Sequence, residues 1–191
     1  MRSAILFLVT TLALTGTAAA GDPYADTIEL FKNAGQSAEF FDKSYGYAVF
    51  PTIGKAGFVV GGAHGKGHVY DHDKYVGDAK VTKLSVGFQA GGQAYSQIVF
   101  FEDKRAFDEF TSGNFEFGAG VNAVAITASA GAEAGTTGTS AGAAGGKKDA
   151  TTVGKYYKGM AVFTIVKGGA MYEASVAGQK YDYKPLAKAK T

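Results

Sequence analysis

The sequence predicts an α+β domain with a predominantly antiparallel β core, barrel-like or sandwich-like, together with an N-terminal helix and one short internal helix. Composition is the first indication, since 28 Gly, 14 Phe and 11 Tyr accompany only 3 Pro. Glycine costs a helix about 1 kcal/mol relative to Ala, whereas in sheets it marks bulges and close backbone approach. The second indication is strand-like alternation from Gly46 onward, and the third is that helical spacing is confined to two segments.

A short phrase, Gly-x-Ala-Val-Phe, occurs twice in the chain, at Gly46–Phe50 and at Gly159–Phe163. Each copy is followed by a lysine among small residues and then by a strand-like run that ends in Tyr-Asp. This shared layout predicts that the first and last hairpins of one β domain are built alike, with the Val and Phe of both copies in the core.

Residues 1–20 have the order typical of a secretory signal peptide. Arg2 gives a basic start, Ile5–Leu14 is an uncharged apolar run, and Ala18–Ala20 offers a small-residue cleavage site. The apolar run is shorter than the roughly 20 residues that a spanning helix needs, which favours cleavage over an uncleaved anchor. We therefore expect an exported protein, periplasmic or secreted, that lies peripheral to the outer membrane.

Residues 21–44 are predicted to be a helical segment. Asp22 suits the N-cap position, and Pro23 suits the first helical position because its fixed φ is already helical. Gly35 interrupts the pattern and predicts a division into two shorter helices.

The apolar side of this segment, with Ile28, Phe31 and Phe41, has two interpretations. It can face a membrane interface, or it can pack on the sheet. Helices at membrane surfaces usually carry a polar face rich in Lys and Arg. The polar face here is mixed and partly acidic, which favours packing on the sheet.

A β-rich domain is predicted over residues 45–185. Its strands are predicted at Tyr47–Ile53, Gly57–Ala63, Lys66–Tyr70, Lys80–Phe88, Gly91–Phe101, Phe115–Ala130, Lys155–Val166 and Ala170–Tyr183. Glu102–Ser112 is the internal helix, capped near Asp103. Residues 131–152 bury too little apolar area to order and are predicted to form a flexible loop, and residues 186–191 form a basic tail.

A hydrophobic core must stabilise this domain, because the chain contains no cysteine and therefore no disulfide. The predicted core residues are Val49, Phe50, Ile53, Phe58, Val60, Leu84, Val86, Ile98, Phe100, Phe107, Phe110, Val162, Phe163 and Ile165.

His64, His68 and His72 are spaced by four, which raises the question of a metal site. On a strand, at roughly 3.3 Å per residue, neighbours in this series stand about 13 Å apart, too far to share one zinc ion. Only a turn that folds His68 and His72 together with Asp71 or Asp73 would make a site. The triplet Asp71-His72-Asp73 is instead predicted to be a polar hairpin loop, and no metal is expected.

No other motif points to catalysis. The chain lacks a complete phosphate loop, a G-x-S-x-G elbow, an H-E-x-x-H pair and a C-x-x-C pair. A formal net charge of +2 argues against a strongly basic nucleic-acid binder. We expect a non-enzymatic protein without cofactor or nucleic-acid partner, and the sequence leaves its oligomeric state open.

Four blocks in order, covering most of the chain from about Phe40 to Pro185, resemble the SYLF domain family. They are KSYGYAVFPTIGKAGFVVGGAHGKGHVY, KLSVGFQAGGQAYSQIVFFEDKRAFDEF, FEFGAGVNAVA and KGMAVFTIVKGGAMYEASVAGQKYDY. The resemblance is strongest to exported bacterial members of the family, which carry a signal peptide and no partner domain.

The resemblance implies a lipid-binding module that recognises anionic phospholipid headgroups, phosphoinositides in its eukaryotic members, at a membrane surface. Lys55, Lys66 and Lys167 are the candidate headgroup ligands, because each stands beside glycines whose turns would expose amides to a phosphate. Each Lys near an anionic surface contributes roughly 1 kcal/mol, so several must act together. Actin binding is not expected in an envelope compartment.

Two alternatives remain from the sequence alone. One is a structural or stress-linked envelope protein without a specific ligand, which would bind no anionic vesicle. The other is a small outer-membrane β-barrel. Such barrels need alternating strands of about ten residues, whereas glycines interrupt the strands here and a helix lies between them.

Overall fold

The structure, a computed structural model, describes residues 21–57, 60–86, 91–117, 124–126, 156–168 and 178–187. Its elements are α1 (Pro23–Lys32), α2 (Gly35–Lys43), β1 (Gly46–Gly57), β2 (Val60–Asp71), β3 (Lys74–Val86), β4 (Gly91–Phe101), α3 (Lys104–Phe110), β5 (Asn114–Glu116), β6 (Val124–Ile126), β7 (Met160–Gly168) and β8 (Gln179–Pro185). None of the helices in these ranges has the length and apolar character needed to span a bilayer. The predicted signal peptide, the 131–152 loop and the last residues of the basic tail lie outside the described residues.

Eight strands form one sheet in the order β5-β8-β3-β2-β1-β4-β7-β6. Every pair is antiparallel except β6–β7. The turn between β2 and β3 falls at His72 and Asp73, with His72 in the left-handed region at φ 55°. The predicted polar hairpin loop is thus confirmed, as is the α+β class with a predominantly antiparallel core.

Contacts between strands that are distant in the sheet order show that the sheet curls. The ring centroids of Phe50 in β1 and Tyr181 in β8 lie 5.5 Å apart, although β2 and β3 separate the two strands. Nε2 of Gln97 in β4 donates a hydrogen bond to Oε1 of Gln179 in β8 at 3.1 Å. The sheet therefore forms a half-barrel with a concave and a convex face.

Both faces of the central strands are buried, each in its own hydrophobic cluster. The concave cluster is covered by α3 and includes Phe50, Ile53, Val81, Val99, Phe101, Phe110, Val162 and Tyr181. The convex cluster is covered by α1 and α2 and includes Phe31, Phe40, Tyr47, Val49, Ile98, Phe100, Phe163 and Ile165. Successive residues of a strand point to opposite faces, so the central strands are apolar at consecutive positions.

Most of the predicted core is confirmed. Nine of the predicted residues are at most 4% exposed, namely Val49, Phe50, Ile53, Ile98, Phe100, Phe110, Val162, Phe163 and Ile165. Phe107 is only partly buried and packs against the concave cluster. Phe58 and the side chains of Val60, Leu84 and Val86 lie outside the described residues.

Among the described residues, the two Gly-x-Ala-Val-Phe units pair differently, and residues 169–177 of the second predicted hairpin lie outside those residues. β1 forms a hairpin with β2, whereas β7 pairs with β4 and β6, and β8 pairs with β3 and β5. The faces are also exchanged. Val49 lies on the convex side and Phe50 on the concave side, while Val162 is concave and Phe163 convex. A strand buried on both faces accepts either orientation, because both faces require apolar residues.

The N-terminal segment forms two helices, with the second beginning at Gly35 as predicted. Oδ1 of Asp22 accepts a hydrogen bond from the Tyr24 amide at 3.0 Å, and Pro23 is the first helical residue. The internal helix is shorter than predicted, and its cap is Asp103, whose Oδ1 accepts from the Ala106 amide at 2.8 Å.

The membrane-facing interpretation of Ile28, Phe31 and Phe41 is corrected by the structure. Phe31 is fully buried, and Ile28 and Phe41 pack against the convex cluster. The Phe41 ring lies 4.9 Å from the ring of Phe100, edge to face. These side chains face the sheet because its convex apolar residues would otherwise be exposed to water.

Candidate functional site

The lysines predicted to bind headgroups lie within strands and not on glycine turns. Lys55 is in β1, Lys66 in β2 and Lys167 in β7, so the predicted turn geometry is wrong. The backbone of Lys55 pairs with Ala63 on one side and Gln93 on the other. The Lys55 side chain lies outside the described part of the chain.

The glycines that flank Lys66 have a packing reason. A Cβ at Gly65 would lie 2.7 Å from Cγ1 of Ile53, and a Cβ at Gly67 would lie 2.5 Å from two ring carbons of Phe50. The concave side of β2 therefore has no room for side chains at these positions. Because neighbours in a strand point to opposite faces, Lys66 is directed to the convex face, where it is exposed.

Two of the predicted lysines meet at Thr52 on the convex face. Thr52 in β1 is the cross-strand partner of Lys66, just after a register shift in β1. Nζ of Lys167 reaches over from β7 and donates a hydrogen bond to Oγ1 of Thr52 at 3.2 Å. The fold thus brings the two cations to one place, although Lys167 and Thr52 are 115 residues apart in the chain.

A third lysine, which was not predicted from the sequence, extends this group. Lys80 in β3 is the direct cross-strand partner of Lys66 and is exposed. We call Thr52, Lys66, Lys80 and Lys167 the lysine row. Adjacent strands lie about 4.8 Å apart, so the backbones of Thr52, Lys66 and Lys80 on β1, β2 and β3 span about 10 Å. Lys167 reaches Thr52 from β7, which lies beyond β4 in the sheet.

The positive charge of the lysine row is mostly uncompensated. No ion pair within the described ranges involves Lys66, Lys80 or Lys167. Asp182 is the cross-strand partner of Lys80 on β8 and is the carboxylate at the end of the row. Like charges directly opposite each other destabilise a sheet, so stability does not account for the Lys66–Lys80 pair.

The convex face of β2 also carries His68, which stacks on the first turn of α1. The rings of His68 and Tyr24 lie 3.4 Å apart with an angle of 6° between their planes, and the Tyr75 ring is 4.3 Å away. Nε2 of His68 is 3.6 Å from Oδ1 of Asp78. Burial lowers the pKa of His68 below its ordinary value, and the carboxylates of Asp78 and Asp22 oppose this shift only in part.

The three histidines do not converge. His64 is exposed on β2, His68 stacks on Tyr24, and Nδ1 of His72 lies 2.6 Å from Oδ1 of Asp71. In the part of the chain that the structure describes, no group of three or more His, Cys, Asp or Glu side chains is placed to hold a metal ion.

A buried polar network on the concave face was not predicted from the sequence. Oε1 of Gln179 accepts hydrogen bonds from Nε2 of Gln97 at 3.1 Å and from the Tyr181 hydroxyl at 2.5 Å. Nε2 of Gln179 donates to the Tyr95 hydroxyl at 3.1 Å. Burial raises the pKa of Tyr181 well above its ordinary value, so its hydroxyl stays protonated and donates. The network joins β4 to β8 and so holds the two sides of the half-barrel together.

Comparison with known proteins identifies the family. Residues 82–186 match the Ysc84 family, described as Las17-binding protein actin regulator. The chain is also 32% identical over 168 residues to Beta cell expansion factor A from Aeromonas veronii, an alignment that covers 82% of this chain and 53% of that protein. The chain therefore spans about half the length of this curated relative. Because the family match covers more than half of the chain, the protein belongs to this family, which is the SYLF family that its sequence blocks resemble.

Proposed function

We propose that the protein binds anionic phospholipid headgroups, phosphoinositide-like in chemistry, at a membrane surface through the lysine row. Membership of the SYLF family supports a general lipid-binding module, and the family is generally non-enzymatic. The observation that carries the proposal is the alignment of Lys66 and Lys80 as cross-strand partners beside Thr52, which Lys167 also contacts, on one exposed face.

The chemistry of the row suits a phosphate better than any single lysine does. Each cation close to an anionic surface contributes roughly 1 kcal/mol, so three acting together contribute about 3 kcal/mol. The Thr52 hydroxyl, which accepts a hydrogen bond from Lys167, adds a hydrogen-bond donor beside that ammonium group. The lysines stand on strands, so the sheet fixes the spacing of their Cα atoms and no loop has to be ordered. Only the side chains lose rotamer freedom on binding.

We propose further that the protein meets these lipids after export, in the periplasm or outside the cell and peripheral to the outer membrane. The signal-peptide-like order of residues 1–20 supports this location. Actin, which the family description names, is not expected as a partner in such an envelope compartment.

Vesicle sedimentation tests the proposal. We would compare the purified protein with the variant Lys66→Gln/Lys80→Gln/Lys167→Gln on phosphatidylcholine vesicles that contain phosphatidylglycerol or a phosphoinositide. We expect about 100-fold weaker binding of the triple variant, from about 3 kcal/mol of lost electrostatic attraction. Lys55→Gln, made separately, shows whether the remaining predicted lysine contributes.

The matched control is Lys43→Gln/Lys104→Gln/Lys158→Gln, which removes the same charge from exposed lysines on α2, α3 and the turn before β7. Equal weakening by both triple variants would mean that only net charge matters and would overturn the site. A parent protein that binds no anionic vesicle would overturn the function and favour a structural envelope protein. Equal affinity for phosphatidylglycerol and phosphoinositide at matched charge would show that the protein does not select phosphoinositide-like headgroups.

A further inference from the structure

The helical pair α1–α2 covers an apolar patch on the same face that carries the lysine row. Phe31 and Phe40 pack on this patch, whose strand residues are each at most 5% exposed: Tyr47, Val49, Phe100, Phe163 and Ile165. Ile165 precedes Lys167 by two positions in β7, so patch and row adjoin on one face. The position of the helices therefore decides whether a membrane meets cations alone or cations beside an apolar surface.

The two ends of the helical pair are held differently. The C-terminal end of α2 continues directly into β1 through Ser44, whose Oγ lies 2.7 Å from the Tyr156 hydroxyl. The opposite end is the first turn of α1, which contacts the sheet through Tyr24 stacked on His68. This second end can lift without breaking the connection to β1.

The groups that face His68 come from three elements. They are Asp22 and Tyr24 at the start of α1, Tyr70 on β2, and Tyr75 and Asp78 on β3. Asp78 already accepts a hydrogen bond from the Tyr75 hydroxyl at 2.7 Å. A protonated His68 would therefore carry its charge inside a half-buried aromatic stack, facing carboxylates that only partly balance the cost of burial.

We propose that His68 is an acid-sensitive latch, whose protonation loosens the first turn of α1 from the sheet and adds a cation beside the lysine row. Its effect on vesicles rests on the proposed function: acidification would strengthen binding to anionic membranes. His68 stands two residues from Lys66 on the same face of β2, so the added charge joins the same surface.

The direction of the effect follows from proton linkage. The pKa of His68 is lower in the docked state, where the ring is partly buried, than in an open state, where it is hydrated. The docked state therefore binds fewer protons, and its stability is full above the ordinary His pKa of about 6.5 and falls as the pH drops below it. An anionic surface at about −30 mV concentrates protons about threefold, which favours opening at the membrane itself.

The vesicle test is made in a His64→Gln background, because His64 is an exposed histidine on the same face and would add its own charge in acid. From about pH 7.5 to about pH 5.5, we expect affinity for phosphatidylglycerol vesicles to rise about fivefold, equivalent to about 1 kcal/mol for one cation. Adding His68→Phe keeps a ring in the stack but takes no proton, and should abolish the rise. Adding His72→Gln instead should leave it intact. An undiminished rise with His68→Phe would overturn the latch.

A lipid-free measurement separates the latch from the proposed function. The chain has no Trp, so Ile28→Trp, one turn after Tyr24 in α1 and packed against the convex cluster, places a single fluorescent reporter at the end of the helical pair that is proposed to lift. We expect its emission to shift to longer wavelength on acidification, and the shift to vanish with His68→Phe. A shift without vesicle binding at either pH would leave the latch standing and refute the lipid role. Acid-enhanced vesicle binding without a shift would refute the latch.

Discussion

Phe50 shows how single residues set the curvature of the sheet. Its ring crosses the concave face of β2 and reaches Tyr181 of β8 at 5.5 Å. It can do so because Gly67 leaves the space open, since a Cβ there would lie 2.5 Å from the ring. The large side chain of Phe50 on β1 and the absence of a side chain at Gly67 on β2 are therefore complementary, and together they bring β8 towards β1.

Gly67→Ala should therefore destabilise the protein. The added Cβ would meet the Phe50 ring and also lie 2.8 Å from the backbone oxygen of Val49, which cannot rotate away. We expect the free energy of unfolding in urea to fall by about 1–3 kcal/mol, as for other overpacked sites. Gly54→Ala is the matched control, because a Cβ at Gly54 meets nothing within 4 Å. Its change should stay within about 0.5 kcal/mol, and equal behaviour of both variants would contradict the packing argument.

The residues of the lysine row were only partly predictable. Glycine neighbours single out Lys66 and Lys167 in the sequence, although the glycines beside Lys66 serve packing and not a phosphate turn. Lys80 was missed because β2 and β3 are shifted in register between Val69 and Tyr70. Counting back from the hairpin turn without this shift would pair Lys66 with Ala79. A register shift of one residue reverses the face of every side chain, and no local sequence pattern indicates where such a shift occurs.

Secondary structure followed the sequence where a local signal existed. Asp22 and Asp103 marked helix starts through their side chains, and both cap helices in the structure. β3 begins at Lys74, six residues before the predicted start, because its buried positions there, Gly77 and Ala79, carry little or no apolar side chain and so weaken the alternation. The partner of a strand was harder still. β7 and β8 share a sequence layout with β1 and β2 but pair elsewhere, since pairing depends on distant strands.

The cap of α3 gives a prediction for this element. Asp103 fixes the start of a helix of only 7 residues, and that helix carries Ala106 and Phe110 into the concave cluster. Asp103→Ala should lower the free energy of unfolding by about 1 kcal/mol, the usual effect of losing an N-cap side chain. Asp108→Ala on the same helix is the control. It removes an exposed pair with Lys104, for which about 0.3–0.5 kcal/mol is expected. Equal losses would indicate that the cap has no special role.

The two sides of the half-barrel contact each other across the concave face through polar as well as apolar side chains. Gln97 and Gln179 are fully or nearly fully buried and bond each other across the concave space. Oε1 of Gln97 has no hydrogen-bond partner among the described residues, so the network is not optimal for stability alone. Directional bonds in a low-dielectric interior favour one arrangement of the groups they join. We infer that the network fixes how β8 meets β4, while the hydrophobic clusters supply most of the stability.

A double-mutant cycle tests this inference. Gln97→Met or Gln179→Met alone leaves the other amide buried with fewer partners, and each should lower the free energy of unfolding by about 1–3 kcal/mol. The double variant should lose less than the sum, by a coupling energy of about 0.5–3 kcal/mol. The control cycle combines Gln97→Met with Lys180→Ala, since Lys180 adjoins Gln179 but is exposed on the convex face. That cycle should be additive within about 0.5 kcal/mol. Additivity in both cycles would show that the apolar clusters alone hold the two sides of the sheet together.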